Sequence, residues 1–87
     1  MSWFTKQKPN AHEWRKSKPP NPTYQGLGTT WSYVDLVTGR LDDGTVTKRT
    51  DESYFIVWVR GASYGHFDTF DNAKAMVEKI CKDRGIA

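Results

Sequence analysis

The sequence predicts an α+β protein in which a small antiparallel β-sheet of three to four strands packs on one C-terminal α-helix. Three observations support this fold class. Residues 29–67 contain short runs rich in β-branched and aromatic residues, separated by turn dipeptides. Residues 69–85 instead carry apolar residues at helical spacing. All four prolines lie at or before residue 22, so an extended basic N-terminal arm should precede the sheet.

We therefore divide the chain into an arm, residues 1–23, and one domain, residues 24–87. A chain of 87 residues allows one modest core and leaves little room for an enzyme-sized cleft. Because only one cysteine is present, neither an intramolecular disulfide nor a cysteine-rich zinc site is expected. The sequence has no signal-peptide pattern and no apolar run long enough to cross a membrane, which predicts a cytoplasmic protein without a membrane partner.

The arm and the domain differ in charge. Residues 1–22 contain five basic residues and one acidic residue, a net charge of +4, whereas residues 23–87 contain eight basic and nine acidic residues, a net charge of −1. Asn10 and Glu13 have the spacing of a helix-capping pair, so at most a marginal helical turn is expected in the arm. Its basic residues alternate with Trp and Phe, a pattern that suits a phosphate backbone; a solubilising tail is the alternative.

Four strands follow from the pattern of the domain. Residues 29–37 predict the first strand, and the dipeptide at 43–44 is Asp-Gly, which favours a tight hairpin. Residues 46–50 are polar and are expected to form an edge strand. Residues 54–60 are nearly continuous in apolar residues, so both faces of that strand should be covered. Residues 64–67 return the chain toward the helix.

The helix is predicted to begin after Thr69, whose side chain suits an N-cap, with Asp71 in the first turn. It is expected to end before Gly85. The apolar residues that recur at helical spacing are Phe70, Ala73, Val77 and Ile80. Cys81 lies beside them and is expected to face the core as a small hydrophobic residue.

Alternation along residues 54–60 defines two faces, and a single helix can cover only one of them. The residues expected to face the helix are Phe55, Val57 and Val59. The residues expected on the other face are Tyr54, Ile56 and Trp58, joined by Trp31 and Tyr33. Three coverings for this aromatic face remain open. They are the arm through Trp3, Phe4 and Trp14, a partner protein or a second copy of the chain, and nucleic acid.

Residues 54–84 resemble part of a known type of domain. The run Tyr54-Phe-Ile-Val-Trp-Val-Arg60, followed by Tyr64-Gly-His-Phe-Asp-Thr-Phe-Asp-Asn-Ala-Lys-Ala75, resembles the last two strands and the helix of the three-stranded-sheet DNA-binding domains of phage integrases and plant ethylene-response factors. In these domains the sheet reads the DNA major groove with Arg and Trp side chains. The resemblance implies such positions for Trp58, Arg60, Tyr64 and His66. The first strand departs from the pattern, because it has Asp35 in place of an Arg-rich run.

No spacing in the sequence defines a catalytic or metal site, so we predict neither an enzyme nor a cofactor. Ser63, His66 and Asp68 are the residue types of a catalytic triad, but they lie on one hairpin and do not converge from separate segments. His12 and His66 are the only candidates for an acid–base pair. Solvated turns explain the acidic residues Asp42, Asp43, Asp51 and Glu52, which lack the spacing of a calcium loop.

The sequence thus favours a small non-catalytic module that binds nucleic acid, with DNA preferred. The alternative is a small protein-binding inhibitor or adaptor, of the kind that phages and mobile elements direct at a host protein, because an acidic domain with an aromatic face suits a protein surface. The residues expected to contact nucleic acid or a partner are Lys6, Lys8, Trp14, Arg15, Lys16, Lys18, Tyr33, Trp58, Arg60, Tyr64 and His66.

Overall fold

A computed structural model of the chain describes residues 11–17, 21–23 and 26–86. In these ranges the chain forms β1 (His12–Lys16), β2 (Asn21–Thr23), β3 (Gly26–Asp35), β4 (Gly44–Arg49), β5 (Phe55–Val59), β6 (Ala62–Phe67) and α1 (Phe70–Asp83). The predicted α+β class, an antiparallel sheet with one C-terminal helix, is confirmed. The sheet has more strands than the three to four expected, because two further strands form before residue 24.

The strands form one antiparallel sheet in the order β1-β3-β4-β5-β6. β1 pairs with residues 31–35 of β3, and β2 pairs with residues 26–28, so both lie along the same edge of this long strand. Residues 12–16 and 21–23, which we expected to belong to an extended arm, are therefore part of the sheet. The predicted contact residues Lys6, Lys8 and Lys18 lie outside the described residues, as do Trp3 and Phe4.

β4 lies between β3 and β5, so the prediction of an edge strand over residues 46–50 is wrong. The polar sequence of β4 was misleading, because two side chains at its centre are buried within the protein. Val46 is fully buried, and Thr47 is 5% exposed. The Thr47 hydroxyl oxygen accepts a hydrogen bond from the indole Nε1 of Trp58 at 2.9 Å. A hydroxyl that is hydrogen-bonded in this way can occupy a central strand at little cost.

α1 covers one face of the sheet, which we call the helix face. The predicted N-cap is confirmed, since Thr69 Oγ1 accepts a hydrogen bond from the backbone N–H of Asn72 at 3.1 Å. Gly85 follows the helix with a φ of +73°, the left-handed conformation expected at such a stop. The fully buried side chains between helix and sheet are Val46, Val57, Val59, Ala73, Val77 and Cys81. The predicted orientation of β5 toward the helix is confirmed.

Aromatic residues of β1 and β3 complete this core. Tyr33 is 5% exposed, and the ring of Trp14 lies 4.9 Å from it, measured between ring centroids. Trp14 Nε1 donates a hydrogen bond to Glu78 Oε2 on α1 at 2.9 Å. The ring of Trp31 lies 4.7 Å from that of Phe70, the first residue of the helix. Trp14, Trp31 and Tyr33 thus pack between sheet and helix.

The prediction that Trp31 and Tyr33 share a face with Trp58 is therefore wrong. Residues directly opposite each other in neighbouring strands lie on the same face of a sheet. Trp31 is opposite Val46, which is opposite Val57, so the β3 aromatic residues lie on the helix face. A shift of one residue in this register would have placed them on the other side.

The sheet face turned away from α1 is called the far face. Register and alternation place Arg15, Ser32, Thr45, Trp58, Thr30, Thr47, Ile56, His66, Arg49 and Tyr54 on it. Val34 also lies there and is 3% exposed. In the part of the chain that the structure describes, no helix has the length and apolar character needed to cross a membrane.

Candidate nucleic-acid interface

Four basic residues lie at the C-terminal ends of two strands, and we call this region the basic end: Arg15, Lys16, Lys48 and Arg49. They occupy the last two positions of β1 and of β4, the strands that flank β3. Arg15 is opposite Ser32, and Arg49 is opposite Gly28, so both arginines belong to the far face. The two lysines alternate with them and belong to the helix face. Two strand ends therefore place basic groups on either side of β3, although these groups are more than thirty positions apart in the sequence.

The two arginines of the basic end form surface ion pairs. Arg15 Nε lies 2.6 Å from Glu13 Oε2, and both side chains are about half exposed. Arg49 Nη2 lies 2.9 Å from Asp51 Oδ2, and the hydrogen bond from Arg49 lowers the pKa of the Asp51 carboxyl. Exposed pairs of this kind contribute about 0 to 1 kcal/mol to stability. A phosphate group can therefore replace either carboxylate as the partner of the arginine with little loss of stability.

The lysines of the basic end are held differently. Lys16 Nζ lies 5.8 Å from the centroid of the Trp31 ring, a cation–π contact on the helix face. Lys48 Nζ donates to the backbone carbonyl oxygen of Arg49 at 3.3 Å. Neither contact neutralises the ammonium charge, so both lysines add to the positive potential at this end of the sheet.

A pair of stacked rings adjoins Arg49 on the far face. The rings of Tyr54 and His66 lie 4.4 Å apart with an angle of 21° between their planes. Glu52 accepts a hydrogen bond from the Tyr54 hydroxyl, and this bond raises the pKa of that hydroxyl. His66 is exposed on β6, opposite Ile56. The far face thus offers a guanidinium and a ring pair side by side.

The opposite end of the sheet, which we call the loop end, contains a buried ion-pair network around Asp43. Asp43 is fully buried, and its Oδ1 accepts hydrogen bonds from Arg60 at 3.0 Å. Its Oδ2 lies 2.9 Å from Nε2 of His12, whose side chain is only 4% exposed. Arg40 Nε lies 3.3 Å from Asp43 Oδ1. Arg60, one of the predicted contact residues, is therefore engaged with a buried carboxylate.

The backbone at Arg60 is built for this contact. Its φ is +49°, and Gly61 follows with +88°, as in the tight turns that join β-hairpins. A left-handed conformation is unfavourable for a residue with a Cβ. The Arg60 N–H donates to the Asp42 carbonyl oxygen at 3.0 Å, so both backbone and side chain fasten the β5–β6 turn to the β3–β4 loop. This dual attachment offsets the unfavourable φ.

The loop end also contains the one arrangement of ligand types that resembles a metal site among the described residues. One nitrogen of His12 and one carboxylate oxygen each from Asp35 and Asp43 lie within 4.8 Å of one another. However, Arg60 and Arg40 already neutralise the Asp43 carboxylate. A divalent cation would face two guanidinium groups at close range, so we interpret the cluster as a structural ion-pair network.

The structure separates the predicted contact residues that it describes. Arg15, Trp58 and His66 share the far face, whereas Lys16 lies on the helix face beside Trp31. Tyr64 lies near the end of α1, where its hydroxyl oxygen accepts a hydrogen bond from Arg84 Nη1 at 3.2 Å. Trp14 and Tyr33 belong to the core, as described above. Arg49 was not among the predicted residues, although its place at the end of a basic strand pair was the available signal.

The side chains that were considered for catalysis do not form a reactive site. His12 and His66 lie on opposite faces of the sheet, so they do not form an acid–base pair. The pKa of the Cys81 thiol is raised to about 11, first because the group is buried and then because Asp43 is close. A thiol with so high a pKa is a poor nucleophile at neutral pH.

No protein-family model, no curated protein and no solved structure matches this chain. The resemblance to sheet-type DNA-binding domains therefore stays a prediction from residues 54–84.

Proposed function

We propose that this protein is a non-catalytic module that binds nucleic acid through the basic end of its far face. The observation that supports the proposal most strongly is the placement of Arg15 and Arg49 on one face, on either side of β3. Among the described residues, Arg15 pairs with the half-exposed Glu13, and Arg49 pairs with the exposed Asp51 and, at 3.8 Å, with the partly buried Glu52. Guanidinium groups bind phosphate oxygens through paired, charge-assisted hydrogen bonds.

The spacing of the two arginines suits an extended backbone. β1 and β4 are two strand positions apart, and the partners of Arg15 and Arg49 on β3 are Ser32 and Gly28. From the standard spacing of strands and residues, their Cα atoms are on the order of 16 Å apart. The two guanidiniums would therefore contact different phosphates. Between them, the hydroxyl groups of Thr30 and Ser32 offer further hydrogen-bond donors for the backbone.

The width of the sheet favours a single strand over a duplex. Five strands lie side by side in this sheet, a width of roughly 19 Å at normal strand spacing. The major groove of B-DNA is about 12 Å wide, so the whole face does not fit into it. An unpaired strand can lie across the face instead, with bases near the Tyr54–His66 ring pair. We therefore expect single-stranded DNA or RNA to bind more tightly than duplex DNA of the same sequence.

Fluorescence anisotropy with labelled oligonucleotides of about 16 nucleotides tests the proposal, since that length covers the site sizes of comparable modules. Affinity should fall as salt rises, because phosphate contacts release counterions. Arg15→Gln and Arg49→Gln should each reduce the slope of log K against log salt by about 0.7 for a single strand. Lys79→Gln is the matched control, since it removes one exposed positive charge from α1, away from the far face.

Two results would contradict the proposal. One is the absence of binding to single-stranded or duplex DNA or RNA at low salt. The other is an equal loss of affinity in Lys79→Gln and Arg49→Gln, because non-specific charge attraction would then explain the binding. Equal affinity for single strands and duplexes would contradict only the argument from the width of the sheet.

A further inference from the structure

The Tyr54–His66 ring pair lies beside Arg49 and has one ring face that is accessible to a ligand. The register of β4 and β5, continued by two residues, places Arg49 opposite Tyr54, and His66 follows on β6. The Tyr54 ring covers one face of the His66 ring, with 4.4 Å between the ring centroids and 21° between the planes. His66 is exposed, and β6 is the last of the described strands on this side of the sheet. The second face of the His66 ring is therefore open to solvent.

Glu52 holds the ring pair and the Arg49 guanidinium in one arrangement. Its side chain accepts a hydrogen bond from the Tyr54 hydroxyl, and its Oε1 lies 3.8 Å from Arg49 Nε. Its backbone N–H donates to the Arg49 carbonyl oxygen at 3.2 Å, which closes the turn after β4. Groups that are ordered before binding lose less conformational entropy when a ligand arrives. The ring pair and Arg49 are thus prepared to act on the same ligand.

The backbone before His66 departs from regular strand pairing. The partner of Ile56 on β6 is His66. The partner of Trp58 is Ser63, so three steps along β6 correspond to two along β5, as in a β-bulge. Gly65 has a φ of +106°, and a Cβ there would meet no atom within 4 Å, so backbone conformation and not packing favours glycine. Because a bulge redirects the side chains next to it, this irregularity sets the direction of His66.

The chemistry of this surface favours a nucleotide over other ligands. The open face of the His66 ring suits another flat ring, and every nucleobase has such a face. The Arg49 guanidinium suits a phosphate group. An aromatic side chain of a protein would use the ring and leave Arg49 with its carboxylates, whereas a free phosphate would use Arg49 alone. A nucleotide uses both groups.

We infer that His66 is the base-stacking residue of the proposed interface: a nucleobase of a single strand packs on the open face of the His66 ring, and a neighbouring phosphate binds Arg49. The inference rests on the proposed function and goes further, because it assigns part of the affinity to the bases and not to charge alone. Stacking tolerates any base. The site should therefore discriminate little among sequences but should require that bases be present.

The test measures fluorescence anisotropy with the full chain and two labelled strands of about 16 nucleotides, oligothymidylate and an abasic strand of the same length. The wild type should bind oligothymidylate more tightly than the abasic strand. His66→Ala should weaken binding to oligothymidylate by about fivefold or more, the loss typical of one stacked base, and should leave binding to the abasic strand unchanged.

Two further variants separate stacking from charge. His66→Phe returns an aromatic ring and should restore most of the affinity for oligothymidylate. Arg49→Gln should instead weaken binding to both strands and lower the slope of log K against log salt, whereas His66→Ala should leave that slope as in the wild type. Circular dichroism checks the fold of each variant, and His66→Phe keeps the test decisive if His66→Ala fails to fold, since it must then bind as the wild type does.

Three results would overturn the inference while the proposed interface stands, provided that Arg49→Gln still weakens binding. They are equal affinity of His66→Ala and the wild type for oligothymidylate, an equal loss in His66→Ala on both strands, and a failure of His66→Phe to restore affinity. If the wild type binds neither strand at low salt, the proposed function fails and the inference fails with it.

Discussion

Arg60 at the loop end and Arg49 at the basic end form ion pairs of nearly equal length, yet their surroundings differ. Arg60 Nη2 lies 3.0 Å from Asp43 Oδ1, and Arg49 Nη2 lies 2.9 Å from Asp51 Oδ2. The side chain of Asp43 is fully buried, whereas that of Asp51 is 66% exposed. Distance alone therefore does not distinguish the two pairs. Burial of the carboxylate makes one of them structural and leaves the other free to exchange partners.

The difference has an energetic basis. A buried carboxylate that loses its cation keeps its desolvation penalty without compensation, whereas an exposed one regains water. The loop end should therefore respond to substitution through stability. The basic end should respond through binding.

The largest effect on the free energy of unfolding is expected from Asp43→Ala. The change leaves Arg60, Arg40 and His12 without their common partner, and we expect it to lower the free energy of unfolding by on the order of 3 kcal/mol. Asp51→Ala is the matched control and should change it by less than about 0.5 kcal/mol. Urea denaturation of the three proteins measures both values. If Asp43→Ala and Asp51→Ala lowered the free energy of unfolding equally, the loop end and the basic end would not differ in their contribution to stability.

A smaller effect is expected from the arginine side of the same pairs. Arg60→Gln keeps a hydrogen-bonding side chain but removes the charge, and Arg40 still faces Asp43. We expect a loss of roughly 2 kcal/mol in the free energy of unfolding, the size of a hydrogen bond to a charged group. Arg49→Gln should be neutral for stability while it weakens oligonucleotide binding. If Arg49→Gln lowered the free energy of unfolding more than Arg60→Gln does, the ion pairs of the basic end would serve mainly to stabilise the fold.

The smallest effect on stability concerns the Asp35 carboxyl group, which accepts hydrogen bonds from the β3–β4 loop. Hydrogen bonds from the Val37 and Thr38 N–H groups lower the pKa of Asp35 below its value in the unfolded chain. Its contribution to stability is therefore present above about pH 4 and is lost as the pH falls through the lowered pKa. Asp35→Asn keeps an acceptor oxygen but does not titrate. The urea midpoints of wild type and variant should differ at neutral pH and converge in acid; a constant difference would argue against a role for the charge.

The sequence predicts best where local patterns decide the structure. The Thr69 cap and the apolar spacing of α1 come from neighbouring residues, and both are confirmed. The orientation of β5 was also predictable, because only one of its faces matches the helix. β1 was missed because His-Glu-Trp-Arg-Lys has one apolar residue, Trp14, and its pairing depends on a distant strand. The central position of β4 was missed because the strand has only one apolar residue, Val46, although it pairs with a strand on each side.

The candidate site was less predictable than the fold. Arg15 and Arg49 share a face only because β1 and β4 both pair with β3 in one particular register. Arg60 looked like a contact residue, since nothing local reveals that its partner Asp43 is buried. In both cases the decisive information lies in long-range pairing, which a single sequence does not contain.

The hydrogen bond between Trp14 and Glu78 joins residues 64 positions apart. Contacts over such separations form late, because the loop they close must first lose entropy. During synthesis, β1 leaves the ribosome before α1 and meets its helix partner only after Glu78 has emerged. We therefore expect the Trp14 indole N–H to gain protection in a pulsed hydrogen-exchange experiment only when α1 has docked, later than the backbone N–H groups of β1 that bond to β3.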